Sequence, residues 1–387
     1  MDTRPTNAVH IVGLVSQSQG RDMPSVVLSV VMPNYNHARY LPRALGAILS
    51  QSLPPDEIVI VDDASTDDSV AVIESFAYEQ PRIRLVRNES NLGVVGAMNR
   101  GAALATGRYL AFAAADDYAL PGFFEKAVAL FDRHPKAGLC FGYDTCQFGD
   151  DGAIVPNPSG WPDQPDYYPP EEVCRHLRHT IAGHCGLFRA DALRDIGWYD
   201  AGLAWYCDWF AHLTLAFRHG ACHIPEPLAV RVLLPQNYSA EAKPGAKNVA
   251  VLRAFFDRIT SPAYADVAPY FRRNGAATYF GTDLIRAAAT RPDCWQPHVL
   301  GFLNGFTDEQ YAGLLNDPEP RVREVAALFL GPYWRQAAAK RQEIEAELQQ
   351  LRDDLEVARG HIPPPGAMGK ARWLAGMMAR RLKLKAG

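Results

Sequence analysis

No C-x-x-C pair occurs in this chain of 387 residues, and its seven cysteines are scattered and odd in number. That argues against a zinc site of the usual spacing and against a disulfide framework. It fits the reduced thiols of a cytoplasmic protein. No apolar run reaches the roughly 18 residues of a transmembrane helix. The segment Ala8–Val15 is apolar but short, follows a polar start and lacks a basic flank, so it is a poor signal peptide. Neither G-x-G-x-x-G nor a Walker-A pattern is present, which removes the two common glycine-rich phosphate loops. The formal net charge is only -4, so no whole-chain argument favours nucleic acid.

What is there is globular: 48% apolar and 21% charged residues, enough for a sizeable core and two or three domains. The stretch Tyr109–Pro121, YLAFAAADDYALP, organises the rest. It begins as a buried-strand run and ends in Asp116-Asp117, just before a helical pattern at Phe123. Adjacent carboxylates repel unless a cation or a donor sits between them. A divalent metal holding a diphosphate and a pair capping the next helix are both open from this stretch alone.

Ser25–Met32 is β-branched and apolar and ends in the turn-rich Pro33-Asn34-Tyr35-Asn36. A helix is expected over Leu41–Ser50, a strand over Glu57–Val61 ending in Asp62-Asp63, and a helix over Ser69–Tyr78. Arg82–Val86 gives a third strand, and Asn91-Leu92-Gly93 a turn into a helix over Val94–Ala105. A helix over Phe123–His134 and a strand over Leu139–Tyr143 follow the organising stretch. This alternation predicts βαβ units and a mostly parallel sheet. Three strands end in polar clusters, and a parallel sheet brings all three to one rim, where ligands bind. An aromatic, an aspartate and a carboxylate pair suit the base, ribose and diphosphate of a nucleotide.

Asp150–Pro170, rich in Pro, Gly and Asp, reads as a loop crossing the site. Helices are expected over Glu171–His179 and Ala190–Ile196, with Gly183–Arg189 as the turn between them. Cys207-Asp208-Trp209 opens an amphipathic helix, where Asp208 also suits the helix dipole. His223–Val232 reads as one closing strand. From Glu241 helical spacing recurs at Val251–Ile259, Ala276–Ala289, Gln310–Leu315 and Arg321–Phe329. The expected organisation is a loose arm at 1–22, an α/β domain at 23–238, a helical region at 239–333 and a charged helix at 334–360. A proline hinge and basic amphipathic tail occupy 361–387. Residues 334–360 show about two and a half heptads, which suits either a short coiled coil joining two copies or a lone solvated helix. The tail from Met368 carries six basic residues among Trp, Leu and Met. That composition suits a helix on the anionic inner face of a membrane; a disordered basic end is the alternative.

Four segments, VVMPNYN, ILSQSLPPDEIVIVDDASTDDS, NLGVVGAMNRGAALATGRYLAFAAADD and YCDWFAHLTLAFRHG, resemble glycosyltransferase family 2 in order and spacing. The resemblance covers about residues 25–235. It implies the GT-A fold and an inverting, nucleotide-sugar-dependent enzyme. It sets Tyr35 against the base, Asp63 as acceptor from the base, and Pro33, Asn36, Asn91 and Gly93 along the nucleotide rim. Asp116 and Asp117 stand in the D-x-D region that holds Mg²⁺ or Mn²⁺ and the ribose-diphosphate. Asp208 stands at the general base, His184 lines the acceptor side, and Arg231 meets the diphosphate. Two positions depart from the pattern: Ala114 replaces the first acid of D-x-D, and Cys207 the Glu before the base. Which of Asp116 and Asp117 touches the metal therefore stays open.

The implied reaction is an in-line displacement at the anomeric carbon by a hydroxyl of a saccharide, lipid-linked or protein acceptor. Two other readings remain. A sugar nucleotidyltransferase normally carries a Gly-rich basic loop where this chain has PNYNHARYLPR. A degenerate domain acting as a scaffold draws on Ala114 and Cys207, against the retention of Tyr35, Asp63, Asp116, Asp117 and Asp208.

Overall fold

The computed structural model describes residues 27–149, 152–157, 160–177, 180–233, 245–274, 276–291 and 308–327, with a few isolated positions beyond. The N-terminal arm, most of the charged helix, the hinge and the basic tail lie outside these residues. The chain divides into two compact units, 1–325 and 326–387, and everything below concerns the first.

Its strands are β1 (Leu28–Asn34), β2 (Glu57–Asp62), β3 (Ile83–Arg87), β4 (Tyr109–Phe112), β5 (Tyr118–Ala119) and β6 (Leu139–Phe148). They continue as β7 (Ile154–Asn157), β8 (Asp166–Tyr168), β9 (Gly186–Arg189), β10 (Ala221–Pro227) and β11 (Ala229–Leu233). The main sheet runs β3-β2-β1-β4-β9-β6-β10-β8. Strands β3, β2, β1 and β4 are parallel, as βαβ alternation requires. Alternation along β1 and β2 fills two separate cores. Val31, Val59 and Val61 face one, and Val30, Met32, Ile58 and Ile60 the other. Both faces are therefore covered, which explains why these strands read as unbroken apolar runs.

Three expectations change. Gly183–Arg189 is not a plain turn: Gly183–Cys185 is a 3-10 turn, and β9 then enters the sheet between β4 and β6, antiparallel to both. Four residues with a glycine at their head carry too little periodicity to announce a strand. His223–Val232 is not one strand either. It splits at Leu228, with β10 pairing β6 and β8, and β11 pairing β5 and the far end of β6. The expected loop contributes β7 to β6 and β8 to β10.

Helices α1 (Leu41–Leu49), α2 (Ser69–Glu79), α3 (Gly93–Leu104) and α4 (Phe123–Arg133) connect the early strands. Then come α5 (Pro170–His176), α6 (Ala190–Asp195) and α7 (Cys207–His219). Helix α3 lies close on the sheet because Gly101 has no side chain: a methyl there would come within 2.4 Å of Val31 Cγ1. The later helices are α8 (Ala246–Thr260), α9 (Ala268–Asn274), α10 (Gly281–Ala289), α11 (Asp308–Leu315) and α12 (Pro320–Val325). Trp209 and Phe210 of α7 pack against Phe255 and Phe271, joining the helical region to the sheet domain.

Candidate functional site

The carboxyl ends of β1, β2 and β4 lie side by side, as parallel pairing demands. Asn34 closes β1 opposite Asp62, and its Nδ2 donates to Asp62 Oδ1 at 2.9 Å. Asp62 Oδ2 accepts from the Ser65 amide, so Asp62 is spent holding the loop. Asn36 takes the left-handed conformation, φ 56°, and its Oδ1 accepts from the Thr66 amide at 2.7 Å. This turn leaves Tyr35 44% exposed, a large aromatic face on the rim.

Asp63 is buried, and its Oδ1 accepts from Asn88 Nδ2 at 2.6 Å and from the Leu92 amide at 2.8 Å. Asn91 Oδ1 accepts from the amide of Gly93, whose φ of 76° starts α3. The carboxylate thus ties the end of β2 to the start of α3 through one oxygen.

The carboxylate pair is divided in its contacts. Asp117 Oδ1 accepts from the Val232 amide at 2.8 Å, which pins the turn after β4 to β11. The described hydrogen bonds leave the Asp116 carboxylate open; Arg43 Nη2 donates to the Asp116 carbonyl at 2.9 Å. Burial pushes the Asp117 carboxyl up to about 8, and the Asp116 charge adds to it. Arg231 and Arg43 pull the other way.

Arg231 is itself engaged. Its Nη2 reaches both oxygens of Asp144 at 3.3 Å and Cys146 Sγ at 3.3 Å, while its buried Nε finds no partner among the described residues. His184 Nε2 lies 3.8 Å from the same Asp144. Burial pushes the imidazole down to about 4 despite Asp144, so it is neutral near pH 7. Asp144, Arg231, His184 and Asp117 therefore form one polar cluster across β6, β11 and the Gly183 turn.

Asp208 opens α7, and its Oδ1 accepts from the Trp209 amide at 2.7 Å. Its Oδ2 points toward Gly183: a methyl on that glycine would stand 3.8 Å from it. The preceding 3-10 segment carries Ala204 at φ 44°, ψ -122°, a strained backbone of the kind that collects at functional sites.

Arg43, Asp144 and His212 also belong to this region, and sequence reasoning misses all three. Arg43 and Asp144 have partners 73 and 87 residues away, beyond any local pattern. His212 does carry a signal: it follows Asp208 by four residues and so shares its helix face.

Fitness for a cation rests on the carboxylates alone. Among the described residues no group of three or more His, Cys, Asp or Glu stands together as ligands. A hard cation here would take most of its oxygens from a diphosphate and water, as Mg²⁺ commonly does. The buried, mutually repelling Asp116-Asp117 pair fits such a partner.

Residues 29–197 match the model of glycosyl transferase family 2. An uncharacterized glycosyltransferase of Nostoc sp. is 39% identical over 123 residues, 32% of this chain and 38% of the relative. Glycosyltransferase GlyG of Streptococcus pneumoniae is 35% identical over 123 residues, 31% of this chain and 41% of the relative. The chain thus spans about two fifths of these curated relatives. Among solved structures, S. aureus TarS 1-349 in complex with UDP-GlcNAc superposes with a TM-score of 0.58 at 16% identity. That match covers 80% of this chain and 92% of TarS 1-349. At that identity the likeness establishes the GT-A fold.

Proposed function

We propose, from the match of residues 29–197 to the model of glycosyl transferase family 2, that this chain moves a sugar from a nucleoside-diphosphate donor to an acceptor hydroxyl with inversion. The observation that carries the reading is the convergence on one sheet edge of an exposed aromatic, a buried aspartate and a carboxylate pair. TarS is described with UDP-GlcNAc bound, which makes a uridine donor the first to try.

In this reading Tyr35 stacks on the base and the second oxygen of Asp63 accepts from the base. Pro33, Asn36, Asn91 and Gly93 shape the rim around the nucleoside. Asp116 faces the diphosphate and is the better candidate to hold Mg²⁺ or Mn²⁺, because Asp117 already accepts from Val232. A bound cation supplies charge neutralisation for the leaving diphosphate. Arg231 and neutral His184 stand together beside Asp144, and in this reading Arg231 adds fixed positive charge where negative charge develops. Asp208 takes the proton of the acceptor hydroxyl through Oδ2, since Oδ1 already accepts from the Trp209 amide. The hydroxyl oxygen attacks the anomeric carbon from the face opposite the diphosphate, and the C–O bond to the diphosphate breaks.

The acceptor is a saccharide, a lipid-linked sugar or a protein. Attachment to a membrane through 368–387 and pairing of copies through 334–360 belong to the proposal as well. No helix among the described residues is long and apolar enough to cross a membrane.

The test is thermal-shift screening of the full chain against UDP-, GDP-, dTDP- and CMP-sugars with Mn²⁺, Mg²⁺ or chelator. Cation-dependent stabilisation by one nucleotide class is expected, since ligands that bind the native state raise its stability. Folded protein that responds to none would favour a scaffold over an enzyme.

A further inference from the structure

His212 is fully buried one helical turn behind Asp208, and the reaction just described leaves it without a role. Its Nδ1 lies 2.9 Å from the Ile181 carbonyl, which can only accept. Nδ1 therefore carries the proton, and Nε2 accepts from the Tyr199 hydroxyl at 3.0 Å. Phe188 stacks on the imidazole at 4.4 Å between ring centroids. Tyr199 is equally fixed: its backbone amide and carbonyl both bond the side chain of Asn99 on α3, and its ring meets Phe112. Such a doubly bonded histidine in an apolar shell is commonly a core residue and nothing more.

Two observations separate this one from that reading. First, a methyl on Gly183 would meet His212 Cε1 at 3.1 Å and Asp208 Oδ2 at 3.8 Å. The imidazole and the carboxylate thus both border Gly183, too closely for a side chain to stand there. Second, Asp208 acts electrostatically on both groups of the pair. Its charge raises the Tyr199 phenol, already pushed up by burial, and it opposes the burial that pushes His212 down. The titratable groups facing this imidazole are Asp208 from α7, Tyr199 from the loop before the 3-10 segment, and Cys207 through Tyr199.

We propose that His212 and Tyr199 are positioning residues that keep an uncharged wall behind the Asp208 carboxylate. The inference rests on Asp208 as general base. Coupling is reciprocal: if the Asp208 charge favours a proton on His212, a proton on His212 weakens Asp208 as a base. The Tyr199 hydroxyl prevents this, because its bond to Nε2 favours the neutral ring. Removing that hydroxyl takes away one restraint on the charged ring, and burial remains the other.

The experiment compares wild type with Tyr199→Phe, which keeps the ring on Phe112. Full-length protein labelled with ¹⁵N-histidine is titrated by NMR, and the His212 signal is assigned by its loss in His212→Leu. His212 is expected as the neutral Nδ1–H form from pH 5 to 8 in wild type, and to titrate inside that range in Tyr199→Phe. In parallel, hydrolysis of UDP-GlcNAc with Mn²⁺ is followed against pH. The acid limb should move to higher pH in Tyr199→Phe, with donor affinity within about twofold of wild type. An imidazole that stays neutral across the range in both proteins, or an Nε2–H form in wild type, overturns the proposal. A wild type that neither binds nor turns over the donor counts against the transferase reading instead, and the NMR arm still decides the pair.

Discussion

Removing the Asp63 side chain should both loosen the donor rim and blunt nucleotide binding, and the two effects can be separated. Asp63→Ala deletes an oxygen that accepts from Asn88 Nδ2 and from the Leu92 amide inside the protein. Each bond to a charged acceptor contributes about 1.5–3 kcal/mol, so the loss is about 3–6 kcal/mol. For the unit of residues 1–325 that corresponds to a fall in Tm of roughly 4–9 °C. Asp63→Asn keeps the shape and one acceptor oxygen, and should lose roughly half as much. If the other oxygen reads the base, Asp63→Asn also weakens UDP binding by about tenfold or more, because an amide presents a donor where the base does. Differential scanning calorimetry and titration calorimetry read the two effects. An Asp63→Ala protein melting within about 2 °C of wild type would refute the tie between β2 and α3. Unchanged UDP affinity in a folded Asp63→Asn would remove Asp63 from the base.

Asp208→Asn should abolish transfer while leaving donor affinity nearly intact; weakened donor binding with transfer retained would take Asp208 out of the role. Asp117→Asn preserves the acceptor for the Val232 amide and removes a buried group that titrates. Asp117 holds a proton in the folded state up to about 8 that the unfolded chain releases near 3.8. Its contribution is therefore full below about 4 and lost as pH rises through about 8, so urea midpoints between pH 6 and 8.5 should fall more steeply in wild type than in Asp117→Asn. His223 behaves in the opposite sense: burial pushes it down to about 4 from 6.5. Its contribution is present above about 6.5 and is lost as pH falls through about 4, at most about 3 kcal/mol. His223→Phe should flatten that acid limb, read by the fluorescence of Trp161, whose ring lies 5.4 Å from His223.

The rim is legible in the sequence because it depends on local signals. A strand buried on both faces reads as an apolar run, and where the run stops the chain must leave the sheet edge. Asn34, Asp63 and Asp116 therefore fall on one rim as soon as their strands are taken as parallel. What is not legible depends on pairing across the chain. Strand β9 enters the middle of the sheet on four residues, and its fit is decided by β4 and β6 on either side rather than by its own pattern. The cluster of Asp144, His184 and Arg231 joins three elements that nothing in the sequence brings together. His212 reads as one more apolar-face histidine, although its spacing from Asp208 already puts both on one side of a helix.

The adjacent pair shows the same limit at the finest scale. Two neighbouring residues leaving a strand direct their side chains apart, so one sequence motif need not mean one role. Here the two-residue strand β5 begins at Tyr118 and pairs with β11, which brings the Val232 amide to Asp117. Asp117 is then bound to the framework, and no described hydrogen bond engages the Asp116 carboxylate, whose backbone carbonyl accepts from Arg43. If Asp116 holds the cation, Asp116→Asn should remove the cation dependence of donor binding at little cost to stability. Asp117→Asn should change the pH dependence of stability and leave most of the cation dependence in place. The opposite assignment in calorimetry, with Asp117 carrying the cation response, would mean that the bond to Val232 opens when the donor binds.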